Sequence, residues 1–337
     1  MPGISITEVS GVADSIYGNI QAPLRRFLIK RGEAYEQASM LPHLFAIADS
    51  DKFGEMSSGL TAMDDFEPVG ENGTYPVTDF REGFQKLIVH DTWKNSFSIS
   101  REMVDDATVM NLKKRPENFI ASYYRTRERF GAALYGTAMK GDTAMTFRGK
   151  NFDVAGADGL PLFDTEHPSA LDPALTQSNQ FSDEFSADAL AAMETAMQNF
   201  EGDKGEILDV TPDTILIPNI YTLKKAVFAA IGADKDPATS NNAFNYVFGR
   251  WNVIVWPYLN KYITAGTEPW ALIDSRYIGT YSAAPWYNRV DLDIKSSIDE
   301  GNDANKWRGY ARWGAGFVDW RFAAVGGVSS GDKLIAA

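Results

Sequence analysis

The sequence predicts an α+β fold in which strand hairpins and helices occupy different stretches of the chain. Residues 66–100 and 288–325 alternate apolar and polar side chains with the period of two that a half-buried strand shows. Residues 117–140 place apolar side chains on one broad helical face. Residues 183–256 then follow the order helix, strand, helix, strand, which suggests an α/β or α+β subdomain.

The composition excludes several kinds of chemistry. The chain has 337 residues, no cysteine and a formal net charge of −13. Without cysteine there are no disulfides, zinc–thiolate sites or cysteine nucleophiles. The acidic balance argues against tight binding of DNA phosphates, because proteins that bind them usually carry a basic surplus. Neither a long apolar run nor a basic start followed by an apolar block occurs, so no membrane span or secretion signal is expected.

The first 60 residues mix short apolar pieces with Gly, Ser and Pro and sustain no helical period. This pattern predicts an N-terminal arm that packs on another surface. The alternative is an ordinary domain start with a short helix near residues 24–37.

Residues 66–100 predict an extended ribbon with a polar tip. Strands at 66–69 and 75–80 flank a turn, and a longer extended stretch follows at 84–99. Asn-Gly is a strong hairpin signal. The turn residues are Gly70, Glu71, Asn72 and Gly73. An isolated two-stranded ribbon is marginal in water, so this one needs a neighbouring surface in its own chain or in another subunit.

A long helix is predicted within residues 102–140. Pro116 is expected to start or kink it, and Gly141 to end it. From residue 117 it has a length of about 36 Å. Three arginines lie on this helix: Arg125, Arg127 and Arg129. Their spacing of two spreads them around the helix, so they form no single basic stripe.

The middle of the chain alternates loops and regular elements. Residues 142–182 are rich in Gly, Asp, Ser and Pro, and so long an irregular stretch usually serves function or interaction. The regular elements after it are a helix capped by Ser186, a strand at 213–218, a helix from the cap Asn219 to Gly232, and a strand at 251–256. A polar loop, 233–245, precedes the last strand.

The C-terminal section predicts a second long hairpin. Val290, Leu292 and Ile294 alternate with polar residues. A turn follows at 299–303, and residues 307–325 predict one long strand rich in aromatic side chains.

The sequence contains no convincing catalytic arrangement. It lacks a Gly-x-Ser-x-Gly elbow, a Gly-x-Gly-x-x-Gly motif and a phosphate loop. Asp164, Glu166 and His167 have the chemistry of a metal site, but an ordinary polar loop explains them as well. Asp291 and Asp293 fit the solvent face of a half-buried strand. We therefore expect a protein that is not an enzyme and holds no metal or cofactor.

Five short segments occur in a distinctive order between residues 65 and 325. They are WKNSFSISRE at 93–102, GKNF at 149–152, LFDTEHP at 162–168, FEGD at 200–203 and TPDTILIP at 211–218. With the predicted elements, they resemble the major capsid proteins of tailed bacteriophages, which share the fold named after bacteriophage Hong Kong ninety-seven. The local segments are most similar to the major head protein of Mu-like phages.

The resemblance implies a particular domain plan. Residues 1–60 would form the N-terminal arm and 61–100 an extended hairpin loop. Residues 101–182 and 288–330 would form a peripheral domain around a spine helix, and 183–287 an axial domain.

The resemblance also implies the partners. Copies of the chain would form hexamers and pentamers in an icosahedral shell around double-stranded DNA, which the shell would enclose without sequence-specific binding. Scaffolding, portal and cement proteins are expected partners. The protein would lie in the virion, with assembly in the host cytoplasm and no membrane involved.

The candidate intersubunit contacts follow from this plan. They are Gly70, Glu71, Asn72, Gly73, Arg125, Arg127, Arg129, Asn241 and Asn242. In some relatives an isopeptide bond joins a loop lysine to an asparagine of a neighbouring subunit. Lys86 and Lys94 are candidates for such a crosslink by location, although a noncovalent shell is the simpler expectation. Two alternatives stay open: an encapsulin-type shell that encloses cargo enzymes, and an unrecognised soluble enzyme.

Overall fold

The computed structural model describes residues 5–8, 21–60, 68–71, 73–75, 77, 82–100, 109–232, 245, 247–299, 301 and 304–334. Fifteen strands and six helices lie in these ranges. The strands are β1 Ser5–Glu8, β2 Ala46–Asp49, β3 Gly54–Leu60, β4 Glu82–Val89, β5 Asp91–Ile99, β6 Ala144–Phe147, β7 Lys150–Asp153, β8 His167–Pro168, β9 Thr176–Gln177, β10 Thr214–Pro218, β11 Asn252–Trp256, β12 Trp270–Ile273, β13 Pro285–Asp299, β14 Ala304–Ala315 and β15 Ala323–Gly326. The helices are α1 Gln21–Gln37, α2 Leu41–Leu44, α3 Val109–Ala138, α4 Ala187–Gln198, α5 Tyr221–Ile231 and α6 Ser275–Tyr281, with a short 3₁₀ turn at Pro257–Lys261.

Two sheets organise the chain. In the first, the strand order is β1-β13-β14-β5, and β2 also pairs with β13. In the second, the order is β11-β10-β12-β15. The mixed α+β class predicted from the sequence is confirmed.

The second predicted hairpin forms between β13 and β14, but the long strand expected at 307–325 is wrong. β14 ends at Ala315, and the chain resumes as β15 in the other sheet, where Ala323 pairs with Ile273. The connecting segment buries Phe317 and Phe322. The aromatic residues of this stretch therefore belong to two strands in different sheets and to the buried segment that joins them. Periodicity alone does not distinguish this arrangement from one long strand.

The first predicted ribbon forms from different residues. Its strands are β3 and β4, which pair antiparallel. Of the strands predicted at 66–69 and 75–80, the structure describes only residues 68, 69, 75 and 77, and none of these four lies in a strand. The turn itself is confirmed: the Gly73 N–H donates to the Gly70 carbonyl at 2.8 Å.

The extended stretch predicted at 84–99 divides at His90. Residues before it, in β4, pair with β3, whereas β5 pairs with β14 in the first sheet. The ribbon and the first sheet thus meet at this residue.

The start of the chain contributes to the core. The helix expected near residues 24–37 forms as α1 and packs on α3, where Tyr35 stacks on Tyr124 at 5.8 Å. Leu41, Leu44 and Phe45 are buried in the main hydrophobic cluster. Residues 41–45 therefore pack within this subunit, as do α1 and β1, which pairs with β13. The N-terminal arm over residues 1–60 stays a prediction.

The spine helix α3 is longer than predicted. It has 30 residues with Pro116 inside it. Of the two roles expected for this proline, that of starting the helix is therefore wrong, and that of kinking it stays a prediction. The loss of one backbone hydrogen bond is tolerated within a helix anchored along its length by packing. Residues 101–108 lie outside the described part. Gly141, at φ +77°, follows the helix end as expected.

The helices flanking the second sheet begin differently from each other. Ser186 caps α4 as predicted, since its hydroxyl accepts from the Ala189 N–H at 3.0 Å. Asn219 does not cap α5: its backbone N–H donates to the Asn260 side chain at 2.7 Å. The cap position is Ile220, which offers no side-chain acceptor.

An aromatic cluster joins the first sheet to α3. Trp93 of β5 stacks on Trp313 of β14 at 4.1 Å between centroids. Trp313 in turn stacks on Trp286 of β13 at 4.7 Å. Phe130 of α3 meets Trp313 edge-on at 5.0 Å. One ring from each of three adjacent strands thus packs beneath the spine helix.

We predict that Phe130→Ala lowers the free energy of unfolding by about 3–5 kcal/mol, because truncation leaves a cavity among rings that cannot collapse. Phe130 is buried in this cluster. Chemical denaturation of the unassembled subunit measures the change. Phe53→Ala is the control, since Phe53 is 71% exposed and should change stability little. Equal effects of the two substitutions would contradict the packing.

Candidate functional site

The ribbon β3–β4 has one attached face and one bare face. Ile88 and Lys86 are buried against the same subunit. Met56, Leu87 and Val89 are exposed, and Met56 lies opposite Leu87 in the pairing register. An apolar face in a two-stranded ribbon requires a cover to be stable in water.

Lys86 fastens the ribbon to the body of the subunit. Its side chain is 8% exposed, and Nζ lies 3.1 Å from a carboxylate oxygen of Asp153. The ammonium also donates to the Ala155 carbonyl. Burial lowers the pKa of Lys86, and the Asp153 carboxylate opposes that shift. Lys86 is thus engaged within its own subunit, whereas Lys94, the other crosslinking candidate, is exposed beside the Tyr310 ring at 5.7 Å.

The base of the ribbon is fixed by close contacts. The His90 ring nitrogen Nδ1 lies 2.8 Å from the Phe53 carbonyl. Gly314 of β14 lies directly beneath, where a Cβ would come within 2.5 Å of the Val89 carbonyl. Ser50 donates to Glu55 at 2.7 Å, and this hydrogen bond lowers the pKa of Glu55. These contacts hold the base of the ribbon in place.

The tip of the ribbon is bare in the subunit. Gly70, Glu71 and Gly73 are exposed, and Asn72 lies outside the described residues. Tyr75 is 92% exposed. Such exposure of a large aromatic side chain is unusual for a surface that stays in water.

The three predicted arginines divide into two groups. Arg127 is 4% exposed: it donates to the Asn288 side chain at 3.2 Å and lies over the Trp286 ring at 5.1 Å. Its expected role in an intersubunit contact is therefore withdrawn, because the side chain is used inside the subunit. Arg125 is exposed and Arg129 partly so. For both, contact with a neighbour stays a prediction.

A groove that the sequence did not reveal runs between β5, α3 and the β6–β7 hairpin. It encloses about 740 Å³. Its aromatic walls include Trp93, Tyr123 and Phe152. Its charged lining consists of Lys94, Arg125, Arg148, Lys150, Arg312 and Asp91. Five cations against one carboxylate make this groove basic on a chain of net charge −13.

The β6–β7 turn places an arginine at the rim of this groove. Phe147 pairs with Lys150, which leaves Arg148 and Gly149 as a two-residue turn. Both have positive φ, at 54° and 82°, and a non-glycine residue in this region costs roughly 1–2 kcal/mol. Sequence could have signalled this turn, because a glycine follows a polar residue between two short apolar stretches.

Of the polar loop at 233–245, the structure describes only Asn245, which is buried and donates to the Ala230 carbonyl at 2.6 Å. Asn241 and Asn242 are not among the described residues, so their contact role stays a prediction. Helix α5, which precedes that loop, leaves Tyr221 and Phe228 exposed and buries Leu223 and Val227.

His167, one of the residues considered for metal binding, has a structural role. The His167 ring lies between the Asp158 carboxylate at 2.7 Å and the Asn179 amide oxygen at 3.2 Å. It stacks on Trp320 at 4.4 Å. Among the described residues, no group of three or more acidic or histidine side chains could hold a metal ion. None of the described helices is long and apolar enough to cross a membrane.

Comparison with known proteins gives one consistent class. The model of the phage capsid protein family matches residues 84–326. The chain is similar to a capsid structure of the cyanophage P-SCSP1u at 10% identity and a TM-score of 0.50, covering 86% of this chain and 87% of that chain. It is also similar to a structure from Mycobacterium phage Patience at 13% identity and a TM-score of 0.49, covering 100% and 96%. Curated proteins give no match.

We predict that the wild-type protein becomes more stable relative to Lys86→Met as the pH rises through one window. This window runs from the lowered pKa of Lys86 to its ordinary value of 10.5. In that window the unfolded chain binds more protons than the folded one, so raising the pH favours the folded state. Denaturant titrations of both proteins across the window measure the difference, with Lys140→Met, at an exposed lysine, as control. A difference that does not change with pH would contradict the burial of a titrating ammonium.

Proposed function

Since the chain belongs to the phage capsid protein family and is a major capsid protein that forms the shell, we propose that its copies assemble as hexamers and pentamers into an icosahedral shell around double-stranded DNA. The family match over residues 84–326 carries this conclusion. The role is structural, and we propose that the protein has no enzymatic activity.

The physical basis of assembly is a subunit with several incomplete surfaces. The ribbon offers the exposed apolar side chains of Met56 and Leu87, and its tip offers Tyr75. Each contact with a neighbour is weak, but a closed symmetric shell multiplies it. An encapsulin-type shell is not favoured by the family match.

The finer parts of the proposal rest on the sequence resemblance. These parts are the likeness to Mu-like head proteins, the four-part domain plan, the assembly in the host cytoplasm, and the scaffolding, portal and cement partners. Electron microscopy of the purified full-length protein tests the main proposal: closed shells support it, and a monodisperse monomer under all assembly conditions contradicts it.

We predict that deletion of residues 68–76 leaves a folded subunit but prevents or deforms shells. The described residues of this tip are exposed, so removing them costs the subunit no packing. Circular dichroism checks the fold, and electron microscopy checks the particles. Normal particles at the wild-type yield would refute the role of the tip.

We also predict that the unassembled subunit binds duplex DNA weakly and with little dependence on salt. The net charge of −13 favours a shell that confines DNA without holding it tightly. Titration at low and moderate salt measures this, because each phosphate contact adds about 0.9 to the log–log slope. Submicromolar binding that collapses with salt would contradict the prediction. Arg25→Glu with Arg26→Glu would then show whether the N-terminal residues carry the contact.

A further inference from the structure

We propose that the basic groove between β5, α3 and the β6–β7 hairpin binds a nucleoside polyphosphate. The phosphates lie against the arginines of the groove, and the base lies against its exposed aromatic ring. This inference goes beyond the proposed shell function and does not depend on it. It assigns phosphate recognition to Arg125, Arg148 and Arg312, and base stacking to Phe53, all of which line the groove.

The groove has the size of a small-molecule site. It encloses about 740 Å³, and pockets that bury a compact ligand usually measure about 300–1,000 Å³. A nucleotide, with one base, one sugar and a short phosphate chain, suits a cavity of this volume. A DNA duplex cannot enter it, so the inference agrees with weak binding of duplex DNA by the subunit.

The charge of the lining matches phosphate better than carboxylate. Five cations face one carboxylate, Asp91, and this carboxylate is already paired with Lys150. A phosphate monoester carries about −1.5 to −2 charges at pH 7, whereas a carboxylate carries a single charge. A short chain of linked phosphates therefore balances the positive surplus within one compact ligand.

One guanidinium nitrogen of the lining is buried without an acceptor. The Nε atom of Arg312 has no hydrogen-bond partner among the described residues, and its side chain is only partly exposed. Because a buried donor without an acceptor is costly, an anion that reaches Arg312 removes a penalty as well as adding a contact. Guanidinium groups donate in the fork geometry that phosphate oxygens accept.

The β6–β7 turn presents a second guanidinium in a fixed place. Arg148 is held at φ 54°, whereas Asn or Asp is usual at such a position because these residues tolerate positive φ. Strained backbone concentrates at binding sites. Arg148 and Arg125 are both exposed in the lining. The groove therefore carries exposed cations from a turn and from a helix, which allows contact with several oxygens of one ligand.

Strand β5 turns its edge toward the groove. Residues 91–95 line the groove consecutively, although successive side chains of a strand point to opposite faces. A cavity that contacts all of these residues lies beside the strand and not over one face. β5 is the last strand of its sheet among the described residues, so backbone N–H groups along this edge can donate to phosphate oxygens.

The aromatic side chains of the groove provide a surface for a base. Phe53 is 71% exposed in the lining, so its ring is open to a ligand. Trp93 and Phe152 stack on each other at 6.1 Å in the same lining, and both are only partly buried. Bases stack on such rings whatever their identity, because every base has a π-face. Open aromatic rings beside cations favour a nucleotide over inorganic phosphate.

Isothermal titration calorimetry of the purified full-length protein with ATP, without magnesium, tests the proposal. We expect one ATP per chain, weaker binding of inorganic triphosphate, and no binding of adenosine at the same concentrations. Arg125→Ala with Arg148→Asn should weaken ATP binding by at least about tenfold, because charge-assisted hydrogen bonds are lost. Asparagine preserves the turn, since it tolerates positive φ.

The matched control is Arg129→Ala with Lys140→Asn, which removes the same charge from residues outside the lining. This control should bind ATP as the wild-type protein does. Circular dichroism checks that both variants are folded.

Phe53→Ala separates the two halves of the site. Phe53 is exposed, so the variant should fold normally. It should bind ATP more weakly than the wild-type protein does, and inorganic triphosphate equally well. Equal losses for the two ligands, or no loss for either, would contradict base stacking.

Three further results would overturn the proposal. The first is no ATP binding by the wild-type protein at millimolar concentration. The second is equal affinity of the groove variant and its control. The third is tighter binding of a 5′-phosphorylated oligothymidylate than of ATP, which would assign the groove to a nucleic acid strand. None of these measurements requires particles, so the shell function stands or falls separately.

Discussion

The packing of one helix against the aromatic face of one sheet supports the rest of the structure. Trp93, Trp286 and Trp313 come from three adjacent strands and stack in succession. Phe130 of α3 closes the stack with edge-on contacts to Trp93 and Trp313. Aromatic rings in this arrangement bury large areas with specific geometry, so the direction of the spine helix relative to the strands is fixed.

Buried and half-buried polar side chains extend this arrangement to the neighbouring elements. Glu128 of α3 accepts from the Ser39 hydroxyl at 2.5 Å and from the Trp256 indole N–H at 2.9 Å. One carboxylate thus ties the N-terminal segment and the second sheet to the same helix. Arg127 likewise links α3 to β13, and Lys86 links the ribbon to Asp153. Because a buried charge is costly unless paired, each of these side chains specifies one position for its partner element.

The same subunit leaves apolar side chains exposed, and we propose that these serve assembly. The ribbon exposes apolar side chains on one face, and the groove beside β5 is lined by five cations and one carboxylate. The exposed apolar face does not benefit an isolated subunit. A shell protein uses such surfaces because association satisfies them only when copies meet in the correct geometry, which makes the contact specific while keeping each one weak.

The sequence by itself determined the kinds of element: the amphipathic helices, the Ser186 cap, the Gly70–Gly73 turn and the strand patterns are local and follow from periodicity and backbone chemistry. The local segments also indicated the capsid family. Tertiary structure alone decided which strand pairs with which. It divided the stretch at 84–99 at His90, and it sent residues 323–326 to a second sheet. It also buried Arg127 while leaving Arg125 exposed on the same helix. Partner choice depends on contacts between residues far apart in sequence, and no local pattern encodes them.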